Sequence, residues 1–209
     1  MSVSEDQAVQ PSPTTPALSP AVADPAPLGL AAFALTTFLL SAANAGWMTK
    51  ATGSAWLGYA FAYGGLAQLL AGMWEFRNKN VFGATAFSTY GGFWIGLGLW
   101  VELVASHASS AAAANHDVAW ILLAFAVFNT YMLILSTQVN MAVFVVFLTL
   151  ELTEIILFIG NFAGSSGTVK FGGYVGIITA IAAWYTSAAG VSNGIAGKLR
   201  FPVGKPLIS

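Results

Sequence analysis

Two acidic residues interrupt one of the most apolar segments of the sequence. Glu151 and Glu154 lie near the middle of residues 141–161, a run that contains no other charged residue. If this run spans a membrane, a charge at its centre costs about 2.5 to 3.5 kcal/mol even on lenient insertion scales. We therefore expect both carboxyls to be protonated or hydrogen-bonded rather than ion-paired. Three roles stay open: structural carboxyls held by groups such as Asn129, proton carriers, or the lining of a water-filled vestibule.

Uncharged polar side chains form a second set of candidates, suited to hydrogen bonding with a small solute. Thr85, Ser88 and Thr89 recur at helical spacing, so their hydroxyls share one stripe beside an aromatic stripe that contains Tyr90. Such hydroxyls either bond back to their own backbone and pack helices together, or line a narrow, partly polar path. Amide side chains that could lie along the same path are Asn44, Gln68, Asn129 and Asn161.

The sequence shows no arrangement of residues typical of covalent catalysis or of metal binding. It has no cysteine, and its two histidines, His107 and His116, lie in an Ala/Ser-rich segment without further ligands. No nucleophile and base pair accompanies the glutamates, which argues against a hydrolase. Lys170 lies at the edge of a span, which argues against a retinal Schiff base. We expect no enzyme activity, no metal and no cofactor.

Composition indicates which solvent surrounds the elements that must position these residues. The chain has 209 residues, of which 57% are hydrophobic and 7% charged, and its mean hydropathy is +0.75. So few charges cannot cover the surface of a water-soluble domain of this size. The net charge of −1 and the absence of a basic run argue against nucleic acid as a partner. The sequence therefore predicts a protein of the lipid bilayer.

Six apolar runs are each long enough to cross about 30 Å of hydrocarbon as a helix. All eight prolines lie outside residues 28–201, which favours uninterrupted helices. The predicted fold is an all-α integral membrane protein, a bundle of six transmembrane helices around a central pore within residues 24–195. The expected spans are about 28–48, 53–76, 83–104, 118–136, 141–161 and 171–191.

The two ends of the chain differ from the predicted bundle. Residues 1–23 are rich in Pro, Ser and Ala and predict a disordered tail, and residues 196–209 form a second tail. Asp24 is placed to cap the first helix, with Pro25 at its first position. Both termini are predicted in the cytoplasm of a multi-pass plasma-membrane protein, because five of the seven basic residues then face inward. These five are Arg77, Lys79, Lys198, Arg200 and Lys205, against Lys50 and Lys170 outside.

Five motifs, in this order and at this spacing, carry a resemblance to a known family. They are DPAPLGL, AFALTTFLLSAAN, YGGLAQLLAGMWEF, FGATAFSTYGGFW and GNFAG. The chain from Asp24 to about Pro202 resembles the acetate uptake transporter family, which includes the bacterial succinate/acetate permeases. This resemblance implies a six-helix protomer in a homohexamer. It also implies that each protomer has its own pore for acetate and other small carboxylates such as succinate, used as a channel or with linked protons.

The resemblance also implies which residues narrow that pore. A Phe on the first helix, a Tyr on the third and a Leu on the fifth form the family's constriction, and the matching positions are Phe33, Tyr90 and Leu150. Two departures stand out. Asp24 replaces the Asn that opens the family's first motif, and Glu151 and Glu154 have no counterpart in its pattern.

The resemblance implies the function, and the expected mechanism follows from a narrow apolar constriction that lacks a fixed positive charge. Hydrocarbon opposes a bare carboxylate, so we expect the acid to cross neutral or largely dehydrated, steadied by hydroxyls, amides and helix N-termini. The prediction is acetate and small-carboxylate transport coupled to protons, with Glu154, and next Glu151, as proton-coupling candidates. Two alternatives stay open: a channel for a neutral solute such as urea, ammonia or an amide, and a sensor that binds acetate without moving it.

Overall fold

Six helical segments follow one another in the computed structural model, which describes residues 22–49 and 54–208. Most of the predicted N-terminal tail, together with Lys50, lies outside the described residues. The described part of the chain contains no strand, which confirms the all-α class. The segments are α1 (Ala26–Asn44), α2 (residues 56–77), α3 (Val81–Leu103), α4 (Ala111–Ser136), α5 (Met141–Phe162) and α6 (Ser166–Ala196).

Four of these helices, α1, α4, α5 and α6, are long and apolar enough to cross a membrane. The other two are similar in length but differ in composition. α3 carries glycines, hydroxyls and aromatic rings among its 23 residues, and α2 contains polar and charged residues toward its C-terminal end. Several apolar helices of this length support a multi-pass membrane protein.

α2 changes its winding in the middle. It begins as an α-helix at Trp56–Phe61, continues as a π-helix over Ala62–Ala67, and returns to an α-helix at Gln68–Arg77. The wide turn contains Gly64, where an added Cβ would collide with the Thr36 side chain of α1. A small residue is therefore required here, because the two helices approach closely.

Short polar side chains begin most of the helices and satisfy amides that have no partner within the helix. Asp24 accepts from the amide of Ala26 at 3.0 Å, although α1 starts at Ala26, so Pro25 precedes the helix instead of opening it as predicted. The other side-chain caps are Asn80 on Gly83 N, Ser110 on Ala113 N, Asn140 on Val143 N and Ser165 on Thr168 N.

Two helices begin earlier than the sequence indicated. α4 starts at Ala111, seven residues before the expected 118, so the Ala/Ser-rich segment that holds His116 is part of a helix. Alanine has the highest helix propensity, and the Ser110 cap fixes the start. α6 starts at Ser166 rather than near 171 for the same kind of reason, because Ser165 caps it.

The helices contact one another in the order of the sequence, and the last also packs against the first. The closest pairs are α1 with α6, α5 with α6, α4 with α5, and α2 with α3. α3 and α4 meet mainly through aromatic rings, for example Phe93 and Phe125 at a centroid distance of 4.6 Å. The result is a ring of six helices.

The segment after α6 folds back over one end of this ring. Asn193 accepts from the amides of Arg200 and Phe201, and the Ala142 amide donates to the carbonyl of Val203 at 2.9 Å. Gly197, with φ 62°, provides the left-handed turn that ends α6. The described segment after α6 therefore lies at the end of the bundle where α1, α3 and α5 begin.

Candidate functional site

Phe33, Tyr90 and Leu150 meet inside the ring of helices. They come from α1, α3 and α5, and their exposed fractions are only 5%, 3% and 6%. The rings of Phe33 and Tyr90 pack edge to face with centroids 5.7 Å apart, and all three side chains line one cavity. We call these three residues the central cluster. The three side chains bring apolar surface and one phenol group together at this point.

A small cavity lies directly beyond the central cluster. Its volume is about 40 Å³, which gives room for about three water molecules. Apart from the cluster, its walls come from α1, α3, α4 and α5: Thr37, Leu40, Ser41, Asn44, Phe93, Trp94, Leu122, Thr153, Glu154 and Leu157.

Three buried polar atoms on the walls of the small cavity have no hydrogen-bond partner among the described residues. They are Thr37 Oγ1, Trp94 Nε1 and Glu154 Oε2. Each of these residues follows a member of the central cluster by four positions, so each lies one helical turn further along the same face. An unpaired buried polar atom costs about 1 to 3 kcal/mol. Two donors and a carboxyl oxygen thus surround a space of the size of a small polar guest.

A larger cavity of about 450 Å³ lies on the other side of the central cluster. Its floor includes Leu30, Phe87 and Phe147, each three positions before a cluster residue. Its rim contains Asp24, Asn80 and Asn140 from the beginnings of α1, α3 and α5. Asn193 near the end of α6 and Val203 in the segment after it also line this cavity. Three helix N-termini therefore converge here, and their dipoles favour negative charge.

Charged side chains are scarce in this interior. Among the described residues, no Lys, Arg or His lines either cavity. Asp24 lies at the rim of the large cavity, and Glu154 lies in the wall of the small one. Among the described residues, the walls of the two cavities therefore carry hydrogen-bonding groups but no fixed positive charge.

The Tyr90 hydroxyl joins the central cluster to a buried polar network. Its oxygen lies 3.1 Å from Asn129 Oδ1 and 3.2 Å from Glu154 Oε1, and both are acceptors when the carboxyl is ionised. A phenol has a single proton, so it can donate to only one of them. Both contacts are hydrogen bonds at once only when Glu154 carries a proton and donates it to the phenol oxygen.

The network continues from Asn129 toward the outside of the bundle. Asn129 is fully buried, and its Nδ2 donates to the carbonyl of Phe147 at 3.0 Å and to Glu151 Oε2 at 2.7 Å. The other oxygen of Glu151 lies 2.8 Å from Thr130 Oγ1, which lies equally close to the carbonyl of Ala126 and has one proton for these two acceptors. Glu151 is therefore held on the outer side of α5, while Glu154 faces inward.

The structure brings some of the predicted residues together and leaves others apart. Asn44 and Glu154 lie at the small cavity with the central cluster, and Asn129 lies directly behind Tyr90. Five other candidates line neither cavity: Gln68, Thr85, Ser88, Thr89 and Asn161.

Three of these five residues have contacts that explain their positions. Gln68 is buried within α2, and Asn161 donates back to Leu157 of its own helix. Ser88 packs so closely against Gly72 of α2 that a Cβ there would collide with it. The hydroxyl stripe of α3 thus faces away from the two cavities, and the neighbouring aromatic stripe faces inward.

Sequence reasoning missed most of the small cavity. Thr37, Trp94 and Thr153 were not among the site candidates, although Thr37 and Trp94 lie at i+4 from Phe33 and Tyr90. That spacing is the signal that could have found them, because a wall residue recurs one turn along the same helix face.

Comparison with known proteins identifies relatives along nearly the whole chain. Residues 6–204 match the sequence model of the GPR1/FUN34/yaaH family. The chain is 41% identical over 186 residues to acetate permease A of Emericella nidulans, covering 82% of this chain and 62% of that protein. It is 38% identical to accumulation of dyads protein 2 of Saccharomyces cerevisiae, covering 85% of this chain and 66% of that one. It thus spans slightly less than two thirds of these fungal relatives.

Bacterial relatives match over nearly their whole length. The chain is 34% identical over 185 residues to the succinate-acetate/proton symporter SatP of Escherichia coli, covering 88% of this chain and 96% of that protein. A solved structure of the bacterial acetate channel SatP superposes with a TM-score of 0.82 at 33% identity. The superposition covers 88% of this chain and 100% of that one.

Proposed function

The chain belongs to the GPR1/FUN34/yaaH family, and from that premise we propose that it transports acetate and other small carboxylates, including succinate, across a membrane together with protons. Its relatives include an acetate permease and a succinate-acetate/proton symporter. The observation that carries the proposal is the central cluster, which separates a large cavity from a small one inside a ring of helices. No catalytic role is part of the proposal.

The large cavity is the proposed binding region for the anion at one end of the path. Three helix N-termini converge on it, and helix dipoles attract a carboxylate there without requiring a buried cation. Asp24 at its rim opposes that attraction. We therefore assign it a structural role at the first turn of α1, where it accepts a hydrogen bond from the Ala26 amide. The carboxylate is drawn to the helix ends rather than to an ion pair.

The central cluster is the proposed constriction. Two rings and a leucine leave only the Tyr90 hydroxyl to contact a solute, so a hydrated carboxylate loses its water at this point. A neutral acid crosses at much lower cost than its anion. Glu154 supplies a carboxyl immediately behind Tyr90 that can exchange a proton with the acid, which links transport to protons.

The small cavity is the proposed resting place beyond the constriction. Thr37 and Trp94 offer donors to one oxygen of the acid, and Glu154 Oε2 faces the other. One proton is then shared between two carboxyl groups: the acid donates to an ionised Glu154, or a protonated Glu154 donates to the carboxylate. Its volume of about 40 Å³ favours acids as small as acetate.

The membrane arrangement is also a proposal. All six helices cross the membrane, including α2 and α3, and both termini lie in the cytoplasm at the plasma membrane. The subunits form a homohexamer in which each carries its own path. In support, α3 presents Gly92 and Gly96 on its outer face with no atom of the described chain near their missing Cβ atoms, as close helix approach between copies requires.

Uptake of labelled acetate into proteoliposomes tests this function. We expect uptake above that of empty liposomes, faster when the interior is alkaline, and competition by succinate but not by urea. Uptake by folded protein no faster than by empty liposomes would overturn the transport function, and rates independent of the pH gradient would remove the proton link. Acetate-sensitive urea flux would favour a neutral-solute channel.

A change within the constriction tests where the path runs. Leu150→Ala opens the central cluster, so we expect butyrate uptake to rise several-fold relative to acetate, because the apolar cross-section widens. Leu152→Ala, on the exposed face of the same helix, is the matched control and should leave the ratio unchanged. An unaltered ratio in both variants would mean that the acid crosses elsewhere.

A further inference from the structure

The side-chain amide of Asn129 has only one orientation that satisfies its surroundings. Its two nearest partners on one side, the carbonyl of Phe147 at 3.0 Å and Glu151 Oε2 at 2.7 Å, are both acceptors. The NH₂ group must therefore face them, and the Oδ1 atom must face the Tyr90 hydroxyl at 3.1 Å. The second oxygen of Glu151 lies 2.8 Å from Thr130 Oγ1, so the carboxyl that binds Asn129 has a second hydrogen-bonding neighbour.

Because the Tyr90 hydroxyl has a single proton, the protonation state of Glu154 decides whether Asn129 Oδ1 accepts a hydrogen bond from Tyr90. When Glu154 is protonated, it donates to the phenol oxygen, and the phenol donates to Asn129. When Glu154 is ionised, the phenol donates to Glu154, and Asn129 Oδ1 has no donor in the buried network. The two states therefore differ by one hydrogen bond, which Asn129 forms in the protonated state alone.

From this geometry we infer that Asn129 is a positioning residue that favours the proton on Glu154 and sets the direction of the Tyr90 hydroxyl in the constriction. The inference rests on the proposed function and adds a residue behind the path to those that line it. Asn129 does not contact the acid. It acts through Tyr90, because the Tyr90 hydroxyl is the only group of the central cluster to which the Asn129 side chain is hydrogen-bonded.

Few other groups that titrate face this network. On α5 they are Glu151 and Glu154, on α3 Tyr90, and on α4 Tyr131. The α1 residues that line the small cavity include none. Glu151 accepts from Asn129 Nδ2 at 2.7 Å, so its role is to keep the Asn129 side-chain amide from turning over.

Exchange of labelled acetate across proteoliposomes tests the inference, with the pH varied equally on both sides and empty liposomes subtracted. Asn129→Leu removes the oxygen that only the protonated state uses, so Glu154 gives up its proton more readily. We expect the pH at which exchange falls to half to move down by about half to one unit. Asn129→Ala removes the same oxygen without added bulk and should move the midpoint in the same direction.

Two comparisons separate this role from a merely structural one. In a Tyr90→Phe background, which lacks the connecting hydroxyl, Asn129→Leu should cause no further shift of the midpoint. Asn161→Leu, which removes an amide bonded only within its own helix, is the matched control and should keep the original midpoint.

The outcomes that overturn the inference differ from those that overturn the proposed function. An unshifted midpoint in both Asn129 variants would exclude this role. A shift by Asn129→Leu that is as large in the Tyr90→Phe background as in the unaltered protein would exclude it too. In either case, acetate exchange by the unaltered protein would still support transport. Absence of exchange by the folded, unaltered protein would instead contradict the proposed function itself.

Discussion

Glu151 and Glu154 are three residues apart but differ in what surrounds each carboxyl. Each oxygen of Glu151 has a hydrogen-bonding neighbour, Asn129 Nδ2 at 2.7 Å and Thr130 Oγ1 at 2.8 Å. Glu154 has one oxygen at Tyr90 and one without a partner at the small cavity. A group that must exchange a proton with a solute needs an available oxygen. The proposed division therefore assigns proton exchange to Glu154 and a structural role to Glu151.

Thr37 provides a prediction at the scale of single residues. Thr37→Val keeps the shape of the side chain but removes a donor that faces the small cavity. Because one net hydrogen bond is worth about 0.5 to 1.5 kcal/mol, we expect the KM for acetate to rise by about 2- to 12-fold. Initial rates of labelled acetate uptake over a range of concentrations measure it.

The neighbouring threonine is the matched control for this experiment. Thr36 Oγ1 already donates to the carbonyl of Ala32 at 3.1 Å and lies 3.5 Å from that of Tyr59, so it faces α2 instead of the cavity. Thr36→Val should keep the KM of the unaltered protein. Equal KM values for both variants would show that the acid does not use the Thr37 hydroxyl.

At the scale of helices, glycines set how closely neighbouring elements approach. A Cβ at Gly173 of α6 would collide with backbone atoms of α1, at Ala45 N and Ser41 O, which cannot move aside as a side chain can. Gly176, one turn later, faces the Ser41 side chain at similarly close range. The contact between α1 and α6 therefore depends on the absence of side chains, and it positions the face of α1 that carries Phe33 and Thr37.

Gly173→Ala tests this contact through the stability of the fold. Overpacking of this kind typically costs about 1 to 3 kcal/mol, so we expect a clearly lower midpoint of thermal unfolding in detergent, followed by tryptophan fluorescence. Gly194→Ala on the same helix has open space around the new methyl group and should be neutral or slightly stabilising, by up to about 1 kcal/mol. A midpoint for Gly173→Ala equal to that of Gly194→Ala would contradict the packing described here.

The positions of the helices could be predicted from this sequence better than the residues that form the site. Long apolar runs and caps such as Asn80 and Asn140 specify where helices lie, because capping and burial are local properties of the chain. Spacing also predicted that Thr85, Ser88 and Thr89 share one stripe of α3. Periodicity alone cannot say which stripe of a uniformly apolar helix faces the interior, and that depends on contacts between helices distant in sequence. The Tyr90–Asn129 bond, 39 residues apart, is a contact of this kind.

At the scale of the whole molecule, the two ends of the bundle differ in charge. Arg77 and Lys79 end α2, and Lys198, Arg200 and Lys205 follow α6, so these five lie near the large cavity. Lys170 lies at the opposite end, in the first turns of α6. Basic residues favour the cytoplasmic side of a membrane. The proposed orientation thus opens the large cavity, with its helix N-termini and nearby cations, toward the cytoplasm.

The absence of cysteine allows this orientation, and the crossing of α2 and α3, to be tested without background labelling. Single cysteines replace Ser54, Asn78, Ser109 or Gln138, which are exposed in successive connections between α1 and α5. If all six helices cross with both termini inside, a membrane-impermeant thiol reagent applied to intact cells should label positions 54 and 109. Positions 78 and 138 should react only after the cells are opened. If α2 and α3 do not cross, positions 54, 78 and 109 must share one side and react alike, because no other helix lies between them. Labelling of 78 and 138 from outside, with 54 and 109 protected, would instead reverse the proposed orientation.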